Sequence, residues 1–160
     1  MRFYKYNREK AVEYATSWAL LRNPRYYDFS SIGGDCTNFC SQALFFGAPV
    51  MNYKKTLGWY YNSVSDRAPA WTGVNEFYNF LTKNDGLGPL AKTAKFSELE
   101  IGDFIQIERD NHYTHSLIVT KIINGVPLVS SHSFDRLNAP LSAYYYEGLR
   151  FIKILGYNGN

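Results

Sequence analysis

The spacing of apolar residues changes once along this chain, near Ser97, and this change constrains the fold more than any other feature. Before Ser97 the apolar residues recur at helical spacing, and after it they alternate with polar residues. The first pattern predicts helices over 8–21, 36–46 and 73–83, and the second predicts strands over 103–109, 115–122, 126–132 and 149–155. Helices followed by strands predict an α+β fold with an antiparallel sheet.

The second and third predicted strands are joined by Asn124–Gly125, a pair typical of a two-residue type I′ hairpin turn. If pairing continues regularly from this turn, His132 lies opposite Leu117. His115 lies two residues before Leu117, so the two histidines would share one face as diagonal neighbours. Their backbones would then be roughly 7–8 Å apart, within reach of a side-chain contact.

Length and composition limit the organisation and the partners. A chain of 160 residues is long enough for one hydrophobic core, so we expect a single domain over 1–160, and a monomer. No apolar stretch approaches the roughly 18 residues of a membrane span, so we expect a soluble protein. The net charge of +3 comes from scattered basic residues, which favours an anionic polymer such as a cell wall over nucleic acid.

The segment "GGDCTNFCSQ" (33–42) carries the strongest chemical signal. Two glycines permit a sharp turn, Asp35 is placed to cap the following helix, and Cys36 lies in its first turn. Unpaired N–H groups and the helix dipole favour a thiolate there and could bind an oxyanion. Cys40 lies one turn deeper, where a buried small apolar side chain is the ordinary interpretation.

A thiol nucleophile needs a general base, and histidine titrates in the appropriate range. His112 lies in a polar turn and is expected at the surface. The predicted hairpin leaves His115 as the base for Cys36 and His132 as the residue that orients it. Asp135 is the alternative orienting residue.

Two other interpretations remain open at this stage. Cys36, Cys40, His115 and His132 could form a tetrahedral zinc site, although cysteines four apart on one helix are unusual ligands. The chain could also be a non-catalytic wall-binding module, which retention of Cys36 and His115 disfavours. A disulfide between the two cysteines has poor geometry, so we expect free thiols.

Several segments resemble the bacterial putative amidase domain family, which is related to NlpC-type and CHAP cell-wall hydrolases of the papain-like fold. The resemblance is carried by "YNREKAVEYATSWALLRNPRYYDF", "GGDCTNFCSQALFFG", "HSLIVT" and "SSHSFDR", in that order along the chain. It implies a papain-like fold with Cys36 as nucleophile and His115 as base. It also implies that His132 is the third polar residue and that Tyr27 contributes to the oxyanion hole, with Tyr26 as the competing assignment.

We therefore expect a cysteine hydrolase of amide bonds in peptidoglycan or its stem peptides, acting through a thioester and needing no cofactor. Asp35, Trp59 and Trp71 are candidate residues of the substrate groove, with helix capping and core packing as their alternatives. The resemblance implies an extracellular or cell-wall location. The opening "MRFYKYNREK" has no apolar leader, which predicts an intracellular protein or a mature domain with an added start Met.

Overall fold

The computed structural model describes residues 1–160 and has an α+β architecture with four α-helices and nine strands. The helices are α1 (Arg8–Trp18), α2 (Cys36–Gly47), α3 (Pro69–Thr72) and α4 (Val74–Lys83). The strands are β1 (Arg2–Tyr4), β2 (Tyr61–Ser63), β3 (Asp66–Arg67), β4 (Gly88–Ala94), β5 (Phe104–Arg109), β6 (His112–Ile123), β7 (Val126–Ser131), β8 (Arg136–Pro140) and β9 (Gly148–Gly159). The predicted helices and strands are all present.

Seven of the strands form one sheet in the order β1-β9-β5-β6-β7-β8, with β4 also paired to β9. Every pair of neighbours in it is antiparallel. The sequence patterns did not predict β1, β4, β8 or the small β2–β3 hairpin. None of the helices has the length and apolar character that a membrane crossing requires.

The sheet carries apolar residues on both faces. One face packs on the helices through Phe104, Ile118 and Ile152, and the other holds a smaller cluster that includes Ile107 and Leu117. The central helix is α2, in which ten of twelve residues are buried. This burial fixes the N-terminus of α2 against the sheet, because a helix enclosed on nearly every side cannot shift without opening the core.

The predicted turn is confirmed, since Asn124 and Gly125 have φ angles of 51° and 77°. The pairing does not continue regularly, however. Lys121 pairs with Leu128 but Val119 pairs with Val129, so Thr120 is an extra residue in β6. A bulge of this kind shifts the register by one position for the rest of the hairpin.

The shifted register changes the relation of the two histidines. Ile118 now pairs with Ser130, which brings His132 level with Ser116 on the face that meets the helices. His115 pairs with Ile107 and lies on the opposite face. The prediction that the two histidines share a face is therefore wrong, because a one-residue slip reverses the side that every later side chain occupies.

Candidate functional site

The turn before α2 has the predicted form. Gly33 and Gly34 have φ angles of 82° and 98°, in the region that favours glycine. Asp35 occupies the N-cap position and Cys36 begins the helix, but the Asp35 side chain makes no capping hydrogen bond. The backbone N–H groups in the first turn of α2 therefore receive no hydrogen bond from the side chain of the N-cap residue.

Cys36 is only 8% exposed, and backbone N–H groups of Thr37 and Ser116 are directed at its sulfur. Burial raises the pKa of the Cys36 thiol, and the hydrogen bonds from Ser116 and Thr37 oppose this only in part. The expected preference for a thiolate is thus wrong for the free protein, because the cost of desolvating the anion exceeds the effect of the helix terminus. Cys36 is held as a neutral thiol.

His115 lies on β6, directly before the Ser116 N–H that faces the sulfur, and it is half-buried. Burial, together with a smaller contribution from the charges of Arg109 and Arg136, lowers the pKa of His115 to about 4. The ring lies 5.9 Å from the ring of Tyr144, and neither of its nitrogens makes a hydrogen bond. His115 is therefore a neutral imidazole at pH 7 with both nitrogens free.

No hydrogen bond joins the Cys36 sulfur to His115 in the free protein, since the only side chain within bonding distance of the sulfur is Thr37, at 3.8 Å. Contacts between a nucleophile and its base are often long in unliganded enzymes and shorten when substrate binds. The backbone of Ser116, the residue after His115, lies beside Cys36, whereas the His115 side chain lies on the other face of the sheet.

His132 is 1% exposed and uses both ring nitrogens elsewhere. Its Nδ1 lies 2.6 Å from Asp35 Oδ2, its Nε2 lies 2.8 Å from the carbonyl oxygen of Trp18, and its ring stacks on Phe39 with 4.1 Å between centroids. The carbonyl only accepts, so Nε2 carries a proton, and a second proton lies between Nδ1 and Oδ2. The prediction that His132 orients His115 is wrong, because His132 has no nitrogen left to do so.

Asp35 is the partner that holds His132 in place, and its carboxylate is also 1% exposed. The other oxygen, Oδ1, accepts from the backbone N–H of Phe29 at 2.8 Å and from Asn38 Nδ2 at 2.9 Å. These contacts bind the turn before α2 to the helix and to the end of β7. Asp35 is enclosed on all sides and cannot line a substrate groove, which corrects that assignment.

The alternative orienting residue, Asp135, lies at the surface and contacts neither histidine. Its carboxylate accepts two hydrogen bonds from the Arg22 guanidinium, at 2.9 and 3.0 Å. Arg22 Nε also lies 3.2 Å from Asp28 and 3.7 Å from Asp35. Asp135 is therefore part of an ion-pair network on the outer side of the Asp35–His132 pair, and its predicted alternative role is wrong.

A row of polar side chains crosses the sheet beneath the start of α2. Thr37 Oγ1 lies 2.9 Å from Ser116 Oγ, Gln106 Nε2 donates to Ser116 Oγ at 3.0 Å, and Arg150 Nε donates to Gln106 Oε1 at 2.8 Å. Ser116, Gln106 and Arg150 are paired neighbours on β6, β5 and β9. Sequence inspection missed this row, because its members come together only through the strand register.

The two tryptophans assigned to the groove are fully buried, so that assignment is wrong. Trp59 Nε1 donates to Ser41 Oγ, and Trp71 Nε1 donates to Asn38 Oδ1, both at 3.0 Å. Indoles of this size with a satisfied N–H are ordinary core residues. Their burial supports α2 from the side opposite the sheet.

Tyr27 is 39% exposed, and its carbonyl accepts from Asn38 Nδ2 at 2.9 Å, which fixes its backbone beside the first turn of α2. It borders an open groove of about 480 Å³ lined by residues 24–28 and 61–64. The competing Tyr26 packs its ring on Trp71 and faces the core. Tyr26 also borders this groove but is the less exposed of the two, and the assignment of Tyr27 to the oxyanion hole stays a prediction.

The zinc interpretation has no support in the arrangement of side chains. No three His, Cys, Asp or Glu residues are grouped so that they could hold a metal ion. Cys40 is fully buried in the core, as predicted, and its pKa is raised well above the ordinary value by burial. Both cysteines are free thiols.

Comparison with known proteins places the chain in a family. It is 31% identical over 139 residues to the uncharacterized protein YhbB of Bacillus subtilis (strain 168), covering 84% of this chain and 43% of YhbB. It is 28% identical over 144 residues to the uncharacterized protein YjcM of the same organism, covering 84% of this chain and 32% of YjcM. The chain thus spans less than half the length of these relatives, and no solved structure matches it. A family model described as a putative amidase domain matches residues 5–155, so the chain belongs to the putative amidase domain family.

Proposed function

We propose that this protein hydrolyses amide bonds with Cys36 as the nucleophile and His115 as the general base. Membership of the putative amidase domain family points to amide hydrolysis. The observation that carries the cysteine mechanism is that Cys36 and His115 are weakly hydrogen-bonded, whereas both ring nitrogens of His132 are bonded. The Cys36 thiol has only a long contact of 3.8 Å with the Thr37 hydroxyl, and the His115 imidazole has no hydrogen-bond partner.

The proposed reaction starts from a neutral pair. Cys36 Sγ attacks the carbonyl carbon while His115 accepts the thiol proton, and the imidazolium then protonates the departing amine to leave a thioester. Water, deprotonated by His115, hydrolyses the thioester and regenerates the thiol. The raised thiol pKa and the lowered imidazole pKa favour proton transfer during attack over a preformed ion pair.

The negative charge that develops on the carbonyl oxygen needs donors near the sulfur. The backbone N–H of Cys36 at the helix start is one such donor, and the Tyr27 hydroxyl is the second in our proposal. Asp35 and His132 act as positioning residues, because they fix the turn that presents Cys36. No step requires a cofactor.

The substrate class in this proposal is peptidoglycan or its stem peptides. The resemblance to NlpC-type and CHAP cell-wall hydrolases, with their papain-like arrangement, supports this choice. The net positive charge of the chain is also favourable for approach to an anionic wall polymer.

The decisive experiment compares Cys36→Ala with Cys40→Ala on purified sacculi, with muropeptide release followed by mass spectrometry. Cys36→Ala should release nothing above background, and Cys40→Ala should release the wild-type products at the wild-type rate. The masses of the products identify the bond cleaved. Release by Cys36→Ala at the wild-type rate would reject the cysteine mechanism, and no release by the wild type would reject the substrate class.

A further inference from the structure

Arg150 on β9 is held between two aromatic rings. Its guanidinium carbon lies 3.7 Å from the ring centroid of Tyr78 on α4 and 3.8 Å from that of Tyr113 on β6. Stacking on both faces fixes the plane of the guanidinium and leaves only its edge for hydrogen bonds. The side chain is half-buried, so part of this edge remains accessible to solvent.

The charge of Arg150 has no carboxylate partner. Its Nε donates to Gln106 Oε1 at 2.8 Å and its Nη2 donates to Asn75 Oδ1 at 3.0 Å, and both acceptors are neutral amides. No carboxylate oxygen lies within 4.0 Å of it, and Glu108 acts on it only at longer range. Three of its five N–H groups therefore remain free to bind an anion.

Other arginines in this chain show what a purely structural arginine does here. Arg8 pairs with Asp103 at 2.7 Å, and Arg22 pairs with Asp135 at 2.9 Å. Both sit in closed networks in which protein carboxylates neutralise their charge. Arg67, Arg109 and Arg136 also lack a carboxylate partner, but each stacks on one ring, whereas Arg150 is held between two. A rigidly held guanidinium without a neutralising partner is the arrangement expected of a preformed carboxylate site.

Arg150 is also connected to the candidate catalytic residue. The polar row runs from Thr37, next to Cys36, through Ser116 and Gln106 to Arg150. Since neighbouring strands lie about 4.8 Å apart, β6 and β9 are separated by about 10 Å. An extended peptide covers this distance with roughly three residues.

We propose that Arg150 binds a carboxylate of the substrate, two or three residues from the amide that Cys36 attacks. The inference rests on the proposed function, because it makes Arg150 a specificity-determining residue of the same site. A carboxylate would take up the free N–H edge as a two-pronged pair, in the plane set by Tyr78 and Tyr113. Peptidoglycan stem peptides carry such carboxylates, and their amidated forms do not.

The test measures binding of two probes, a stem tetrapeptide with free carboxylates and the same peptide with every carboxylate amidated. Titration calorimetry on Cys36→Ala protein avoids turnover. The free acid should bind at least about tenfold more tightly than the amide, because it alone can form charge-assisted hydrogen bonds with the guanidinium. Arg150→Gln should bring this ratio close to one, and Arg2→Gln, which removes an exposed arginine on the edge strand β1, should leave it unchanged.

A second variant tests the same prediction in case Arg150→Gln does not fold. Asn75→Asp keeps the arginine and places a carboxylate on its Nη2, so it should also abolish the preference for the acid. Equal affinity for the two probes, no binding of the free acid at millimolar concentration, or a ratio unchanged in both variants would overturn the proposal. If the acid preference holds while wild-type protein shows no hydrolysis, the proposed function fails and the carboxylate site stands.

Discussion

His115 on β6 and His132, directly after β7, lie in opposite chemical environments on opposite faces of one sheet. His132 lies on the helix side, fully enclosed, with both nitrogens bonded and its ring stacked on Phe39. His115 lies on the other side, half-buried, with both nitrogens free and a pKa lowered to about 4. The polar atoms of His132 are all used in contacts that stabilise the fold, whereas the ring nitrogens of His115 are free to contact a ligand.

This difference separates stability from chemistry. A buried polar group with every bond satisfied is costly to disturb and has no capacity to transfer a proton to a ligand. An imidazole without hydrogen-bond partners contributes little to stability, and burial keeps it in the neutral form that a general base requires, although it also lowers its proton affinity. The comparison therefore gives His132 a structural role in the turn before Cys36, and it leaves His115 as the proposed base.

Substitution of His115 gives the largest expected effect and tests the catalytic side of the comparison. His115→Ala should lower kcat/KM by about 10²- to 10⁴-fold, the range for loss of a general base, with the fold retained. His112→Ala, at an exposed position of the same strand, is the matched control and should be as active as the wild type. Unchanged activity in His115→Ala would remove the base from the proposed mechanism.

Substitution of the buried pair tests the structural side. His132→Ala should lower the free energy of unfolding by about 3–5 kcal/mol, because it leaves the Asp35 carboxylate buried without its partner. Chemical denaturation of His132→Ala, Asp35→Asn and the double variant measures the coupling between the two residues. Additive losses would show that the pair does not act as a unit.

The fold shows how far the sequence patterns reach. Apolar spacing located α1, α2, α4 and four strands, because each has a face that must be buried. It missed β4 and β8, whose sequences "GPLAKTA" and "RLNAP" have low strand propensity and pair only because β9 and β7 offer partners. It also extended α1 to Leu21, whereas the helix ends at Trp18, whose carbonyl accepts from His132.

The candidate site shows the same limit more sharply. The turn and the position of Cys36 could be predicted from local sequence, because Gly33 and Gly34 adopt the positive φ angles of the turn directly before the helix. The relation of the histidines did not, because it depends on the bulge at Thr120. That side chain bonds to Ser130 at 2.7 Å and to Asn138 at 2.6 Å, partners on other strands that no local pattern reveals.

The dependence of activity on pH sharpens the comparison at His115. The folded-state pKa of about 4 lies below the ordinary 6.5, so the imidazole should stay neutral and active as the pH falls to about 5. The acidic limb of kcat/KM should therefore lie near pH 4, and a limb at 6.5 or above would contradict a desolvated base. Because of the same shift, the unfolded state binds more protons than the folded state between pH 4 and 6.5. The free energy of unfolding of the wild type should therefore decrease as the pH is lowered from 6.5 to 4. His115→Ala should lose this part of the pH dependence.

Substitution of Cys40 has the smallest expected effect. It distinguishes a structural thiol from a proposed catalytic thiol, as the substitutions of His132 and His115 do for the histidines. Cys40 is fully buried between α1, α2 and the sheet, and its sulfur contributes only packing. Cys40→Ala should therefore cost on the order of 1 kcal/mol of unfolding free energy, measured by denaturation, and leave kcat/KM unchanged. Cys36→Ala should show the reverse, with no turnover and a smaller loss of stability, because Cys36 is 8% exposed and belongs to neither apolar cluster of the core. A Cys40→Ala protein that is stable but inactive would mean that the chemistry involves the deeper thiol and that the assignment of Cys36 is wrong.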